Sequence, residues 1–509
     1  MYDVVIVGGG SSGCLLAARL SEDPRRQVLL VEAGLDYPDF EQAPRAVRQA
    51  VGGVEATEQL DALEWGYVAT GSDTGGTISL PRGRVVGGSG AINGCIWLRG
   101  LPEDFEHWAD MVGPEWGWGH MLQAYRAIEA DQGGSAEDHG RSGPFPIYRF
   151  PTRTWVPTQT TFYAACQELG YGTTDDENAP DSMGVGQLPL NQEDGLRWGP
   201  ARALLTEPVR TRPNLTILAD AHARRIRFAS RQAVGLEVAT PEGVQLVAGG
   251  EFILSAGAVG SAQLLMLSGV GPASHLEHHG IELVADVPGV GEGVRDHPKT
   301  WVQWRLRDNV PASSDAPLLQ LSARYTATDS ALRGDMMLYP NSIVPGSHPG
   351  TFDFRIEAVN NLQRSSGRLR LRSADPQVHP EITLGLLQEE QDRDRLVDAV
   401  ERCLALADTA PMRDILGARV LPDPRVVANR DALADHVTRT VMTGQHISSS
   451  CRMGVDDELA VVDPDCRVRG VDGLRIIDGS VMPDSIRANT HATILAMAEL
   501  MAGRIIAHG

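Results

Sequence analysis

Gly8-Gly9-Gly10-Ser11-Ser12-Gly13 follows the apolar run of residues 3–7 and opens a helical stretch at 12–20, and a second apolar run lies at 28–31. Short continuous runs of Val, Ile and Leu suit strands buried on both faces of a parallel sheet. The segment therefore predicts a compact βαβ unit. Gly8, Gly10 and Gly13 fit G-x-G-x-x-G, in which glycine permits a tight turn, close backbone approach to a pyrophosphate and close helix packing. The helix start then offers free N–H groups and a positive dipole end to phosphate. Glu32 closes the second strand, where its carboxylate can accept from both hydroxyls of a ribose and would repel a 2′-phosphate. A dinucleotide fold follows, with NADP disfavoured.

Further strands are expected at 215–218, 235–238, 252–255 and 474–477. Residues 300–430 differ in texture: an alternating stretch at 351–359 precedes a charged helical stretch at 389–406. They read as a second lobe inserted before the chain returns to the first. No internal repeat or low-complexity linker appears. In the final stretch, 490–506, Ile494, Leu495, Ala498, Met501 and Ile505 have helical spacing.

The chain has 509 residues, 45 Lys plus Arg against 66 Asp plus Glu, and a formal charge of −21. A polyanion is repelled by such a surface, and no basic run offsets it, so nucleic acid is excluded as the expected partner. Six cysteines without CxxC spacing read as reduced structural thiols, with no metal site expected. The longest uncharged stretch, 252–276, is broken by Gly, Ser and Pro, so no membrane span is expected. No basic, then apolar, leader opens the chain, and a cytoplasmic protein is the expectation.

A second glycine-dense loop runs Gly83-Arg84-Val85-Val86-Gly87-Gly88-Ser89-Gly90-Ala91-Ile92-Asn93-Gly94. A third segment, Gly257-Ala258-Val259-Gly260-Ser261-Ala262-Gln263-Leu264-Leu265-Met266-Leu267-Ser268-Gly269-Val270-Gly271, is followed by Pro288-Gly289-Val290-Gly291 and Asp296-His297-Pro298. Together these resemble the glucose–methanol–choline (GMC) oxidoreductase family over nearly the whole chain, apart from the divergent 300–430 region. Ala262 stands where that family more often has proline or serine.

The resemblance implies an α/β fold: a discontinuous FAD-binding domain of 1–150, 200–300 and 430–509, with an inserted α+β substrate domain of 151–199 and 301–429. It implies FAD on Gly8, Gly10, Ser11, Ser12 and Gly13, with Glu32 and Ala33 at the adenosine ribose. Arg84, Val86, Gly88, Ser89, Asn93, Gly94, Cys95 and Ile96 would run over the isoalloxazine. Ala256, Asp478, Gly479, Asn489, Thr490 and His491 would complete the site, with Asp478 at the ribityl or pyrophosphate end. Some members attach FAD through a histidine at the position of Ile92, so a non-covalent flavin is expected here.

Thr443-Gly444-Gln445-His446-Ile447-Ser448-Ser449-Ser450-Cys451-Arg452-Met453-Gly454 resembles the family's H-P-x-G-T-C-R-M-G segment, with Ile447 and Ser449 replacing proline and glycine. The match implies that His446 is the catalytic base. Neutral imidazole is a suitable proton acceptor near neutral pH. Asn489, nine residues beyond Asp478-Gly479-Ser480, matches the second catalytic position, and it could equally cap the last helix. Residues i and i+2 do not share a helical face, so one of Asn489 and His491 should point away from the flavin. In the second lobe, Ser365-Ser366-Gly367-Arg368-Leu369 resembles the family's S-x-G segment. Alternation along 351–359 places Phe354, Ile356 and Ala358 on one face and Arg355, Glu357 and Val359 on the other, leaving Glu357 either a pocket carboxylate or a solvent-exposed or salt-bridged residue.

The expected reaction is oxidation of a primary alcohol, with oxygen, a quinone or a redox protein as electron acceptor. A hydroxynitrile lyase of the same fold and a NAD-linked Rossmann dehydrogenase are the alternatives.

Overall fold

The computed structural model describes residues 1–49, 60–72, 76–313, 316–346 and 351–508. Tyr2–Val7 and Val28–Val31 pair in parallel, Val4 opposite Val28, and Val4–Val7 and Val28–Val31 are all buried. They lie at the centre of a seven-stranded sheet with Leu215–Leu218 outside Val28–Val31. On the other side lies Gly243–Leu254, which belongs to two pairings. Its second half runs parallel to Tyr2–Val7 and to Leu474–Ile476, while its first half continues antiparallel into Gln232–Thr240 and then His222–Ala229. The first helix, Ser11–Leu20, packs against the final one, Thr490–His508, so the two ends of the chain close over the same sheet.

A second, eight-stranded and mostly antiparallel sheet is built from Leu416–Leu421, Pro298–Leu306, Phe352–Asn360, Met336–Pro345, Leu321–Tyr325, Gly184–Gln187 and Thr173–Thr174, with Met442–Thr443 beside Pro298–Leu306. The helix Glu390–Ala407 packs on its Phe352–Asn360 and Pro298–Leu306 strands. Residues 173–187 and much of 301–429 thus share one sheet. Gly367–Arg370 and Glu381–Thr383 do not join it; they pair with Glu292–Val294 and Val68–Thr70 in a separate five-stranded sheet.

All six cysteines are free and buried. Among the described residues, no helix is long and apolar enough to cross a membrane.

Candidate active site

One cavity of about 520 Å³ runs from the glycine turn of the parallel sheet to the Phe352–Asn360 strand of the antiparallel sheet. At the glycine end, Gly8 has φ +106°, and a Cβ there would lie 2.5 Å from the Ser255 carbonyl. A Cβ on Gly13 would lie 1.9 Å from the Gly8 carbonyl, so this glycine serves turn–helix packing and does not itself line the cavity. The first helix starts at Ser11 with Gly10 before it and no side-chain cap, which leaves its first N–H groups facing the cavity. The Glu32 carboxylate accepts from Gly9 N (2.7 Å) and Gly34 N (2.8 Å). Burial nevertheless pushes it up to about 7.

Gly10, Ser11, Ser12, Glu32, Ala33, Gly88, Ser89, Asn93, Gly94, Ile96, Ala256, Asp478, Gly479, Asn489, Thr490 and His491 all line the cavity, as expected. Arg84, Val86 and Cys95 do not. The Arg84 guanidinium sits 5.3 Å over the Trp65 ring, Val86 is buried, and Cys95 turns at φ +57° with its sulfur taking a hydrogen bond from Arg197 (3.0 Å). Arg197 also donates to the Asn93 side chain (2.8 Å), so this loop is held from behind by an arginine outside every motif.

Asp478 is a tie between loops: its carboxylate accepts from Gly257 N (2.9 Å), Ser261 Oγ (2.6 Å) and Ser480 N (2.8 Å). Asp478 also lines the cavity, so these loops are tied together at the residue expected beside the ribityl or pyrophosphate end.

At the other end, His446 Nε2 lies 3.0 Å from Asn489 Nδ2, and the Asn489 oxygen accepts from Tyr339 Oη at 3.0 Å. Because that oxygen is the acceptor, the amide faces His446 as a donor, and Nε2 carries the lone pair. The ring proton is then on Nδ1, which lies 2.9 Å from Nδ1 of His297. His297, buried, also hydrogen-bonds the backbone of Ile486. Burial, His297, Arg82 and Lys299 hold His446 well below the ordinary histidine value. The backbone of His446 donates to the buried Asp296 (2.9 Å), and Arg82 clamps the carbonyl of Gln445 (2.8 Å). Ser449, where the resembling motif has glycine, takes φ +63°, the left-handed conformation that glycine adopts without cost.

The Asn489 side chain is thus turned to Tyr339 and His446 instead of back over its helix, which corrects the capping alternative. Asn489 and His491 both line the cavity but are turned to different parts of it. Asn489 precedes the helical residues, so the 100° step does not apply between them, and the cavity wraps around the helix start. His491 points toward the glycine turn, with Nδ1 3.2 Å from Ser11 Oγ, and burial lowers it to about 4.

Phe354, Ile356 and Ala358 are fully buried, while Glu357 and Val359 line the cavity. Glu357 is a cavity carboxylate and is also salt-bridged, to Lys299 at 3.0 Å, and is not the solvent-exposed residue that was the other alternative. Several lining residues were not anticipated: Lys299, Tyr339 and Arg82 here, and Trp65, Tyr67, His222 and His379 at the far end, where Tyr67 packs against His379 at 4.7 Å. They come from separate strands and loops, and no local pattern announces them.

Glu129, Asp131 and His139 are buried with their ligand atoms close enough to hold a metal ion. None lines the cavity, and all are already engaged, His139 with Asp176 (2.7 Å), Asp131 with Arg149 (2.6 Å) and Glu129 with Arg99.

The family profiles for GMC oxidoreductases match residues 2–299 and 363–498. An oxygen-dependent choline dehydrogenase of Photobacterium profundum is 31% identical over 99% of this chain and 93% of its own length. The alcohol dehydrogenase [acceptor] of Pseudomonas putida is 31% identical over 99% of this chain and 96% of its own. Pyridoxine 4-oxidase from Mesorbium loti superimposes with a TM-score of 0.92 at 31% identity, covering 100% of both chains. The fold, the glycine-lined cavity and these likenesses agree, and the chain belongs to the GMC oxidoreductases.

Proposed function

We propose that the chain binds FAD non-covalently in this cavity and oxidises a primary alcohol to the aldehyde, with His446 as the base. The relatives and the similar structure are named as choline and alcohol dehydrogenases and as an oxidase of pyridoxine, which supports an alcohol substrate. The residues present suit the cofactor. Uncapped helix N–H groups meet the glycine turn, Glu32 stands where a ribose would lie, and Ser12 Oγ and His491 Nε2 are buried on the cavity wall with no partner among the described residues. The parallel-sheet side would hold the cofactor, and the antiparallel sheet would wall the substrate.

When bound, the flavin supplies the hydride acceptor. The chain's own part is to remove a proton and hold an oxygen. The observation that carries the reading is the pairing of a lone-pair nitrogen on His446 with an amide donor on Asn489, 3.0 Å apart at the cavity wall. A substrate hydroxyl that comes within reach of both takes the place of the amide on Nε2, gives that nitrogen its proton and accepts a hydrogen bond from the amide as charge develops on oxygen. The C–H pair leaves as hydride, and the carbon–oxygen bond becomes a carbonyl. Ile92 offers no nucleophilic nitrogen for covalent attachment.

An anaerobic screen of alcohols against the flavin absorbance tests this. Bleaching by a primary alcohol supports it; a protein that turns over a cyanohydrin without ever bleaching would instead be a lyase. Admission of air after bleaching then separates oxygen from a quinone or redox-protein acceptor.

A further inference from the structure

Lys299 is the only lysine in the 509-residue chain; every other one of the 45 basic side chains is arginine. It lies in the wall of the cavity, on the strand that begins just after His297, and its charge acts on His446. Lysine and arginine are not interchangeable here. An ammonium is a compact point charge with three donors on a flexible stem, whereas guanidinium is a wide planar fork. One donor of Lys299 reaches Glu357 Oε2 at 3.0 Å, and among the described residues no second acceptor engages the ammonium.

Charge is arranged asymmetrically around this pair. Arg355 stands behind Glu357, its guanidinium 3.9 Å from Oε1, and does not line the cavity. An anionic oxygen entering the cavity can therefore take the free donors of Lys299 while Glu357 keeps a cationic neighbour. A cationic substrate that took Glu357 would leave the Lys299 ammonium beside a like charge in a half-buried site. Arg82, also in the wall near His446, adds to the same sign.

We propose that Lys299 determines substrate specificity, selecting an alcohol that also carries an anionic oxygen, a carboxylate or an ionised ring hydroxyl, with Glu357 orienting the ammonium. The inference rests on the alcohol-oxidising reading and names the substrate class for it. The net charge of −21 opposes the approach of an anion, but that field is screened over about 10 Å at ordinary salt, whereas Lys299 acts at contact.

The test uses the flavin-loaded full chain and matched alcohols. One series is para-(hydroxymethyl)benzoate, benzyl alcohol and para-(aminomethyl)benzyl alcohol; the other is the terminal alcohols hydroxyhexanoate, hexanol and aminohexanol. A nitrophenol-substituted benzyl alcohol separates ring hydroxyl from carboxylate. The apparent affinity for anaerobic flavin reduction should rank anionic, neutral, cationic, with about tenfold or more between the extremes. Lys299→Met should compress that ratio to within about threefold, and Lys299→Arg should keep its sign. Glu357→Gln, which frees the ammonium instead of removing it, should widen the anionic preference. A cationic preference, no charge preference, an unchanged ranking in Lys299→Met or a narrowed one in Glu357→Gln would each overturn the proposal. Binding of benzoate, benzamide and benzylammonium, read from perturbation of the flavin spectrum, decides the same question without turnover. If no alcohol of any charge bleaches the flavin, the alcohol reading fails by itself, and the binding order still judges Lys299.

Discussion

His297 and His446 meet through like atoms, Nδ1 to Nδ1 at 2.9 Å, so one ring must donate and the other accept. The amide of Asn489 on the far side of His446 decides which: His446 donates to His297, and its Nε2 is left as the acceptor at the cavity wall. His297 is thus a positioning residue that fixes a tautomer. His297→Leu should slow anaerobic flavin reduction by about tenfold or more, the scale of one oriented hydrogen bond. It should also move the low-pH fall of the rate upward, because His297 and the burial it provides help to hold His446 low. His297→Asn, which keeps an acceptor, should recover part of the rate. An unaltered pH profile in the leucine variant would leave His297 with packing alone.

His446→Ala should lower the flavin reduction rate by about 100-fold to 10,000-fold, the range for a positioned acid–base group, with flavin loading little changed. In the parent protein the base must be neutral, and burial holds it neutral below its ordinary value of about 6.5. The rate should therefore stay level from about pH 8 to below pH 6 and fall only in stronger acid. Stopped-flow reduction across that range checks the sign; a decline centred near pH 7 would mean that His446 titrates as an ordinary histidine.

Asn489→Ala should slow reduction by more than about tenfold on fully flavinated protein. His491→Ala should change it by less than about threefold and act instead on flavin retention, because His491 faces Ser11 and the glycine turn. Dissociation of flavin on dilution separates the two effects. The opposite ranking of the two variants would transfer the catalytic role to His491.

Acid precipitation should release all the yellow colour to the supernatant, since Ile92 stands where histidyl attachment would occur. Colour kept in the pellet would disprove non-covalent binding.

Ser449→Gly should raise the thermal midpoint by about 1–2 °C, from a gain of about 1 kcal/mol. Serine at φ +63° is strained, and its hydroxyl is buried without a partner among the described residues, so glycine relieves both. A lower midpoint would mean that the hydroxyl has a role in the loop.

The βαβ unit was legible because its signal is local: buried apolar runs flank a glycine turn, and Gly8 and Gly13 are required by contacts of 2.5 and 1.9 Å. His446 was legible through its motif. Arg82, Lys299 and Tyr339, and Trp65, Tyr67, His222 and His379 at the far end, were not, because closure of the fold assembles them. His297 and His446 are 149 positions apart, Tyr339 and Asn489 150. Glu357 stayed ambiguous because its partner, Lys299, lies on another strand. The tie of Asp478 to Gly257 and Ser261 was not legible, because those donors lie 221 and 217 positions away.

The 509 residues carry one lysine side chain, Lys299, and it stands half-buried in the cavity wall. Among these side chains amine-reactive reagents therefore have a single address, and its protection by a ligand reads cavity occupancy directly. A lysine-specific protease has one site, after Lys299, in the unfolded chain.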